Sequence, residues 1–194
     1  MKKIYAATQN NHKINEFNLI LQLLDIHDFQ ILPIVNNDLN IIEDGKTYQE
    51  NTEIKLKEFM KLGLFPLLAD DSGFEIDFLD NQPGIHSARF LGETSYSEKI
   101  QTILDRMKKD QNRTARFICC LGYYDGSKMF FETGICNGKV ASQPKGSNGF
   151  GYDPIFCPNT LKKTMAELTD QEKNRISHRA LALKKLMLNL HEKL

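Results

Sequence analysis

No sign of charge predominates in this chain, where 25 Lys and Arg stand against 25 Asp and Glu and the formal net charge is zero. Without excess positive charge there is no global attraction for nucleic acid or for an acidic membrane, so neither is an expected partner and phosphate binding must be local. No apolar run approaches a membrane span, and Met1-Lys2-Lys3 is followed by too few apolar residues for a secretory signal. Cysteine is scarce. Cys119, Cys120, Cys136 and Cys157 have no C-x-x-C spacing, and Cys119 and Cys120 would face opposite sides of a strand. That pattern argues against a zinc site and for buried reduced thiols in a cytoplasmic protein. Internal repeats and low-complexity segments are absent as well. What is there is 194 residues, enough for one substantial core in a single domain over 1–194 without staples.

The stretch that organises the rest is Leu68-Ala69-Asp70-Asp71-Ser72-Gly73-Phe74-Glu75-Ile76-Asp77-Phe78. An apolar run from Phe65 to Ala69 ends in two adjacent carboxylates. Apolar residues then return at every second position, Phe74, Ile76 and Phe78, the period of a half-buried strand. Two strands meeting at Asp70-Asp71-Ser72-Gly73 would concentrate negative charge at a strand end, where open α/β sheets place their ligands. Carboxylates so close both stay ionised only if a cation joins them. Mg2+, bound through one or two carboxylates and completed by water and phosphate oxygens, meets that demand. Asp, Ser and Gly are also ordinary turn formers, so the motif alone leaves a solvated turn open.

Ile4 to Ala7 reads as a short buried strand, and a helix follows with Ile14, Phe17, Ile20, Leu21 and Leu24 on one face. The loop between them, Thr8-Gln9-Asn10-Asn11-His12, offers Asn10 or Asn11 as N-cap and leads into free helix amides, a ready anion site. Lys13 is badly placed for the helix dipole unless an anion sits between it and those amides; a solvated surface lysine is the alternative. Phe29 to Val35 is a second strand. Thr47-Tyr48-Gln49-Glu50 has the capping-box form, opening a helix from Tyr48 to Leu62 with Lys55 on its second turn. Glu43, just before it, would suit a further oxygen ligand for the same metal.

Asp80-Asn81-Gln82-Pro83-Gly84 reads as a turn. Ser95-Tyr96-Ser97-Glu98 is another capping box, opening a helix whose stripe Tyr96, Ile100, Ile103, Leu104, Met107 is core. Thr114 to Tyr124 is strand-like, and Asp125-Gly126 signals a hairpin into Met129 to Ile135. Pro144 to Asp153 holds three glycines in ten residues, so backbone can approach a ligand closely, and a nucleobase could stack on Phe150. The alternative is a plain loop with its aromatics tucked beneath. Near the C-terminus a third capping box, Thr169 to Glu172, precedes the stripe Ile176, Ala180, Leu183, Met187, Leu190. On one continuous helix, at about 100° per residue, Lys173, His178 and Arg179 would point in widely separated directions. They converge only if the helix breaks near Ser177, itself a good N-cap, and such a break is predicted. The order of elements argues an α/β architecture with a mixed, twisted sheet and flanking helices.

With these pieces in place the sequence resembles the inosine triphosphate pyrophosphatase family. Seven stretches carry the likeness, in the family's order and across nearly the whole chain. They are Thr8-x-Asn10-x-x-Lys13-x-x-Glu16, Glu43-x-Gly45-x-Thr47-x-x-Glu50-Asn51-x-x-x-Lys55 and Ala69-Asp70-Asp71-Ser72-Gly73. Further along come Pro83-Gly84-x-x-Ser87-Ala88-Arg89, Ala115-Arg116-Phe117, Gly149-Phe150-Gly151-Tyr152-Asp153-Pro154-Ile155-Phe156 and Lys173-Asn174-x-Ile176-Ser177-His178-Arg179-Ala180. Any one is a weak signal, but together they leave chance agreement implausible.

The resemblance implies two lobes around a central nucleotide cleft, a Mg2+ requirement and a homodimer. It also implies hydrolysis of ITP, dITP or XTP, purine nucleoside triphosphates, to the monophosphate and pyrophosphate. Carried over residue by residue, it implies that Thr8, Gln9, Asn10, Asn11, His12, Lys13 and Ser72 hold the triphosphate and Lys55 neutralises it. Glu43 and Asp71, with Asp70, would bind the metal, and Asp71 would accept the proton of the attacking water. Phe150, Gly151, Tyr152 and Asp153, with Lys173, His178 and Arg179, would cradle the base. Donors such as Lys173, Arg179 or a His178 N–H would reward a 6-keto oxygen and reject adenine's amino group. Gln9 stands where the family usually has Gly, Phe74 where it has Leu, and the turn from Pro158 to Thr164 lacks the customary Gly. A pyrophosphatase for a modified pyrimidine nucleotide and a catalytically silent nucleotide sensor are the alternative readings.

Overall fold

The computed structural model describes residues 1–8, 10–34, 41–107 and 112–191; Gln9 and Val35, the expected end of the second strand, lie outside the described residues. In chain order the elements are β1 (Lys2–Ala6), α1 (Asn11–Leu23), β2 (Phe29–Pro33), α2 (Tyr48–Met60), β3 (Leu67–Ile76) and β4 (Gln82–Gly84). Then come α3 (Tyr96–Arg106), β5 (Thr114–Tyr124), β6 (Met129–Val140), β7 (Phe156–Pro158), α4 (Asp170–Ile176) and α5 (His178–His191). The strands form one seven-stranded sheet in the order β2-β1-β3-β5-β6-β7, with β4 also on β3. β1 runs parallel to β2 and β3, whereas β4 and β7 pair antiparallel with β3 and β6, so the sheet is mixed and the α/β expectation holds. No helix among the described residues is long and apolar enough to cross a membrane.

The chain forms two compact units. The first comprises Met1–Asp71, Cys119–Gly134 and Asn174–Leu194. Its strands bury both faces, which the two-residue period makes visible. Ile4, Ala6 and Leu68 pack with Phe17, Ile20 and Leu21 of α1 and Leu183 and Leu186 of α5. Ala7, Leu67 and Ala69 pack instead with Leu56 and Phe59 of α2. Asn10 caps α1 by accepting the His12 N–H at 3.0 Å. Thr47 caps α2 by accepting the Glu50 N–H at 3.1 Å, while the Glu50 carboxylate accepts from Lys46 N–H, one residue earlier than a capping box requires. The predicted helix break is present. α4 ends at Ile176, Ser177 stands between the helices, and its Oγ accepts the Ala180 N–H at 3.1 Å as an N-cap.

The second unit comprises Ser72–Ile118 and Ile135–Lys173. Its centre is aromatic: Phe74 lies 4.9 Å from Phe117 and 5.3 Å from Tyr152, and Phe117 lies 4.7 Å from Phe156. Such pairs add roughly 0.5–1.5 kcal/mol each to the burial itself. Ser95 and Glu98 form the full capping box of α3, and Thr169 and Glu172 that of α4. The fold corrects two expectations. The acidic stretch does not join two strands but lies within one, β3, and the alternation stops at Ile76, leaving Phe78 47% exposed in a 3-10 turn. Residues 82–84, expected as part of a turn, instead pair with Phe74–Ile76 as β4; the turn itself is tight, with Asp80 and Asn81 at positive φ.

Candidate functional site

Because β3 is one strand, its two adjacent carboxylates point to opposite faces, and this resolves how both can be buried. Asp70 shares the face of Leu68, packed against α1 and α5, and the first turns of those helices supply its partners. Lys13 Nζ donates to Asp70 Oδ1 at 3.0 Å and lies 2.8 Å from Oδ2, and Arg179 Nε lies 3.8 Å from Oδ2. Arg179 also pairs with Glu16 at 3.0 Å. Lys13 is therefore not a solvated lysine: the anion beside it is the protein's own. Two cations at helix N-termini oppose the helix dipoles, and Asp70 and Glu16 offset that cost. Burial is the largest single influence on Asp70 and would raise its pKa, but Lys13, Arg179 and Lys55 together hold the carboxyl below its ordinary value.

Asp71 shares the face of Ala69, packed against α2, and meets α2 residues one turn apart, Asn51 and Lys55. Asn51 Nδ2 donates to Asp71 Oδ2 at 3.0 Å. Lys55 Nζ lies 3.7 Å from Asp71 Oδ1, 3.0 Å from Glu43 Oε2, and donates to the Asp70 carbonyl at 2.8 Å. Burial pushes the Asp71 carboxyl up; Lys55 and Asn51 pull it down, Glu43 and Asp70 push it further, and the balance is upward. Burial would lower the Lys55 ammonium, yet Asp70, Asp71 and Glu43 outweigh it and keep the amine charged.

Of the expected phosphate loop, Asn10 N–H donates to Thr8 Oγ1 at 3.2 Å, and Asn11 and His12 are exposed on the first turn of α1. Ser72, next after Asp71 on β3, is half-buried.

The second unit holds the other group of predicted residues. Asp153 Oδ2 accepts from Lys173 Nζ at 2.7 Å and from the Phe150 N–H at 2.9 Å, and Lys173 Nζ sits 4.8 Å above the Phe150 ring. Gly149 is required here: it sits at φ +72°, and a Cβ would run into the Asp153 carboxylate and come within 3.2 Å of Lys173 Nζ. Tyr152 faces inward, 3% exposed, with its hydroxyl donating to the Ser87 carbonyl at 2.9 Å. Gly151 takes a φ of +67° beside Tyr96. Thus Lys173 joins Phe150 and Asp153 in one unit, while Arg179 joins Asp70, Lys13 and Glu16 in the other, with His178 buried at the start of α5.

The model of the Ham1 family matches residues 4–188. The chain belongs to the Ham1 family. Among curated Ham1 relatives, the dITP/XTP pyrophosphatase of Oceanobacillus iheyensis is 42% identical, covering 98% of this chain and 99% of that protein. The dITP/XTP pyrophosphatase of Bacillus subtilis is 42% identical over 96% of each. Among solved structures, the Ham1 protein of Staphylococcus aureus has a TM-score of 0.87 at 34% identity, with both chains fully covered. That of Coxiella burnetii has a TM-score of 0.87 at 37% identity, covering 99% of this chain and 100% of the other.

Two residues that sequence reasoning gave no role hold site groups in place: Asn51 bonds Asp71, and Glu16 pairs with Arg179. Asn51 lies one helical turn before Lys55, a spacing that could have flagged it. Glu16 is 163 positions from Arg179, and no local signal links them. Among the described residues no group of three or more His, Cys, Asp and Glu forms a metal cage. Glu43 and Asp71 do reach toward one positive charge, that of Lys55, so two hard oxygen ligands converge on a cationic position. This donor set fits Mg2+, which takes one or two carboxylates and fills its remaining positions with water and phosphate oxygens. Asp70, by contrast, spends its carboxylate on Lys13 and Arg179.

Proposed function

We propose that the protein hydrolyses non-canonical purine nucleoside triphosphates, ITP, dITP and XTP, to the monophosphate and pyrophosphate, with Mg2+ as cofactor. The observation that carries this reading is the convergence of Lys55, Glu43 and Asp71. It places a neutralising cation beside two hard oxygen ligands, one of which, the buried Asp71 carboxylate, is able to take a proton. The names of its relatives, dITP/XTP pyrophosphatases at about 40% identity over nearly their whole length, support the same chemistry.

Hydrolysis of a phosphoanhydride needs negative charge on the phosphate oxygens neutralised and a base beside the attacking water. Lys55 and Lys13 supply positive charge, and amides at the N-terminus of α1 add donors. Glu43 and Asp71 are the residues that would hold Mg2+, which when bound neutralises phosphate oxygens and polarises the phosphoryl group. Asp71 takes the proton from water. Asn51 donates to one oxygen of the Asp71 carboxylate and Lys55 faces the other, so the group is oriented before water arrives. In the second unit Phe150 offers a stacking face and Lys173 a donor for a 6-keto oxygen. Lys173 is held by Asp153, so its ammonium is fixed in direction before a base arrives. The homodimer belongs to the same proposal and is tested by light scattering. A cytoplasmic location is supported by the four free thiols.

The test is a product-resolved assay of ITP, dITP, XTP, GTP and ATP, with and without Mg2+. Release of pyrophosphate from the first three, dependent on Mg2+, is the expected result. Orthophosphate as first product, or equal turnover of ATP, would overturn the reading.

A further inference from the structure

We propose that Asn51 is a positioning residue that sets the orientation of Asp71 and ties it to the segment carrying Glu43. This deepens the pyrophosphatase reading and rests on it. Asn51 is fully buried at the start of α2, and its one amide is used in two directions. Its Nδ2 donates to Asp71 Oδ2 at 3.0 Å, and its Oδ1 accepts the Gly45 N–H at 2.8 Å. Gly45 is two residues from Glu43, whose Oε2 meets the same Lys55 ammonium that faces Asp71 Oδ1. One oxygen of Asp71 is therefore clamped by Asn51 while the other faces Lys55, the ammonium that Glu43 also meets. A carboxylate oxygen accepting an amide donor is fixed in plane as well as in distance, which leaves its partner oxygen aimed in one direction.

The approach of the Glu43 segment to α2 is equally specific. A Cβ at Gly45 would stand 2.6 Å from Asn51 Oδ1 and 2.9 Å from the Asn51 backbone N, so only glycine allows the segment to sit against the amide. A core asparagine serving stability alone would be satisfied by any pair of backbone groups. This one instead joins Asp71 to the segment that carries Glu43, and those are two acids that Lys55 meets in side-chain ion pairs.

Two variants test it. Asn51→Leu keeps the volume and loses both bonds; Asn51→Asp keeps an acceptor for Gly45 N–H and puts a carboxyl oxygen where the donor to Asp71 was. Two measurements are made beside wild type: steady-state hydrolysis of ITP, and calorimetric binding of the α,β-imido analogue of ITP with and without Mg2+. The expected result is a fall in kcat of at least ~30-fold with KM within about threefold, the range seen when residues behind metal ligands are lost. The gain in analogue affinity on adding Mg2+ shrinks by about 10-fold, while affinity without metal is kept. Should Asn51→Leu fail to fold, Asn51→Asp alone decides. A kcat within threefold of wild type, a KM rising as much as kcat falls, or an unchanged Mg2+ increment in Asn51→Asp would overturn the proposal. The calorimetry does not depend on turnover, so a wild type that fails to release pyrophosphate condemns the pyrophosphatase reading while the Mg2+ increment still judges Asn51.

Discussion

Replacing Asp70 by Asn takes away the negative charge on which two cations converge. The carboxylate is 2% exposed and lies 2.8 Å from Lys13 Nζ and 3.8 Å from Arg179 Nε. Removing one partner of a buried ion pair generally costs roughly 3–5 kcal/mol, because the other charge stays behind uncompensated. Here two features soften the loss. The Lys13 side chain is 15% exposed and can regain water, and Arg179 keeps Glu16 at 3.0 Å. The cost therefore falls at the lower end, about 3 kcal/mol, which for a chain of this size lowers Tm by roughly 6–12 °C. The pH dependence has a definite sign. The Asp70 carboxyl titrates below its ordinary value: burial, the largest influence, is outweighed by Lys13, Arg179 and Lys55 together. A carboxylate with a lowered folded pKa contributes stability that is present above its unfolded value, near 4, and is lost as pH falls through the folded value. The gap in Tm between wild type and Asp70→Asn, followed by circular dichroism, is thus full at pH 7 and closes in acid below about pH 4. A variant within about 2 °C of wild type at pH 7, or a gap that widens in acid, would refute the account of Asp70.

Three further outcomes are expected. Gly134→Ala would drive a Cβ into the His178 carbonyl and the Ala182 backbone N, groups of α5 that cannot rotate away, so a loss of at least ~2 kcal/mol in urea unfolding is expected. Lys173→Met removes the donor above Phe150, and ITP turnover should fall about 10-fold more than ATP turnover; an equal fall would place Lys173 outside base selection. Iodoacetamide at pH 8 should label Cys157 first by mass spectrometry. The other three thiols are buried, and burial, with Asp153 adding to it, pushes Cys136 up to about 11.

Local features were legible in the sequence where one short segment decides them. The cap at Asn10, the boxes at Ser95 and Thr169, and the break at Ser177 each depend on residues within four positions. The buried stripes of α1 and α3 followed the helical period in the same way. What stayed hidden depends on partners distant in sequence. Asp70 and Lys13 are 57 residues apart, so whether the paired carboxylates needed a metal or already had a cation could not be read locally. The acidic stretch read as a junction between two strands, with a solvated turn as the alternative, because Asp, Ser and Gly favour turns. Tertiary packing against α1, α2 and α5, each bringing its own cation, overrode that preference and kept β3 continuous. Three-residue strands such as β4 and β7 carry too little periodicity to be seen at all.

The direct measurement is the turnover of ITP by Asp71→Asn in saturating Mg2+, with pyrophosphate release as the readout. With Asp71 serving as ligand and base together, kcat falls by at least ~100-fold while the thermal unfolding curve stays close to that of wild type. A variant that releases pyrophosphate within threefold of the wild-type rate would contradict the role given to Asp71 and the mechanism built on it.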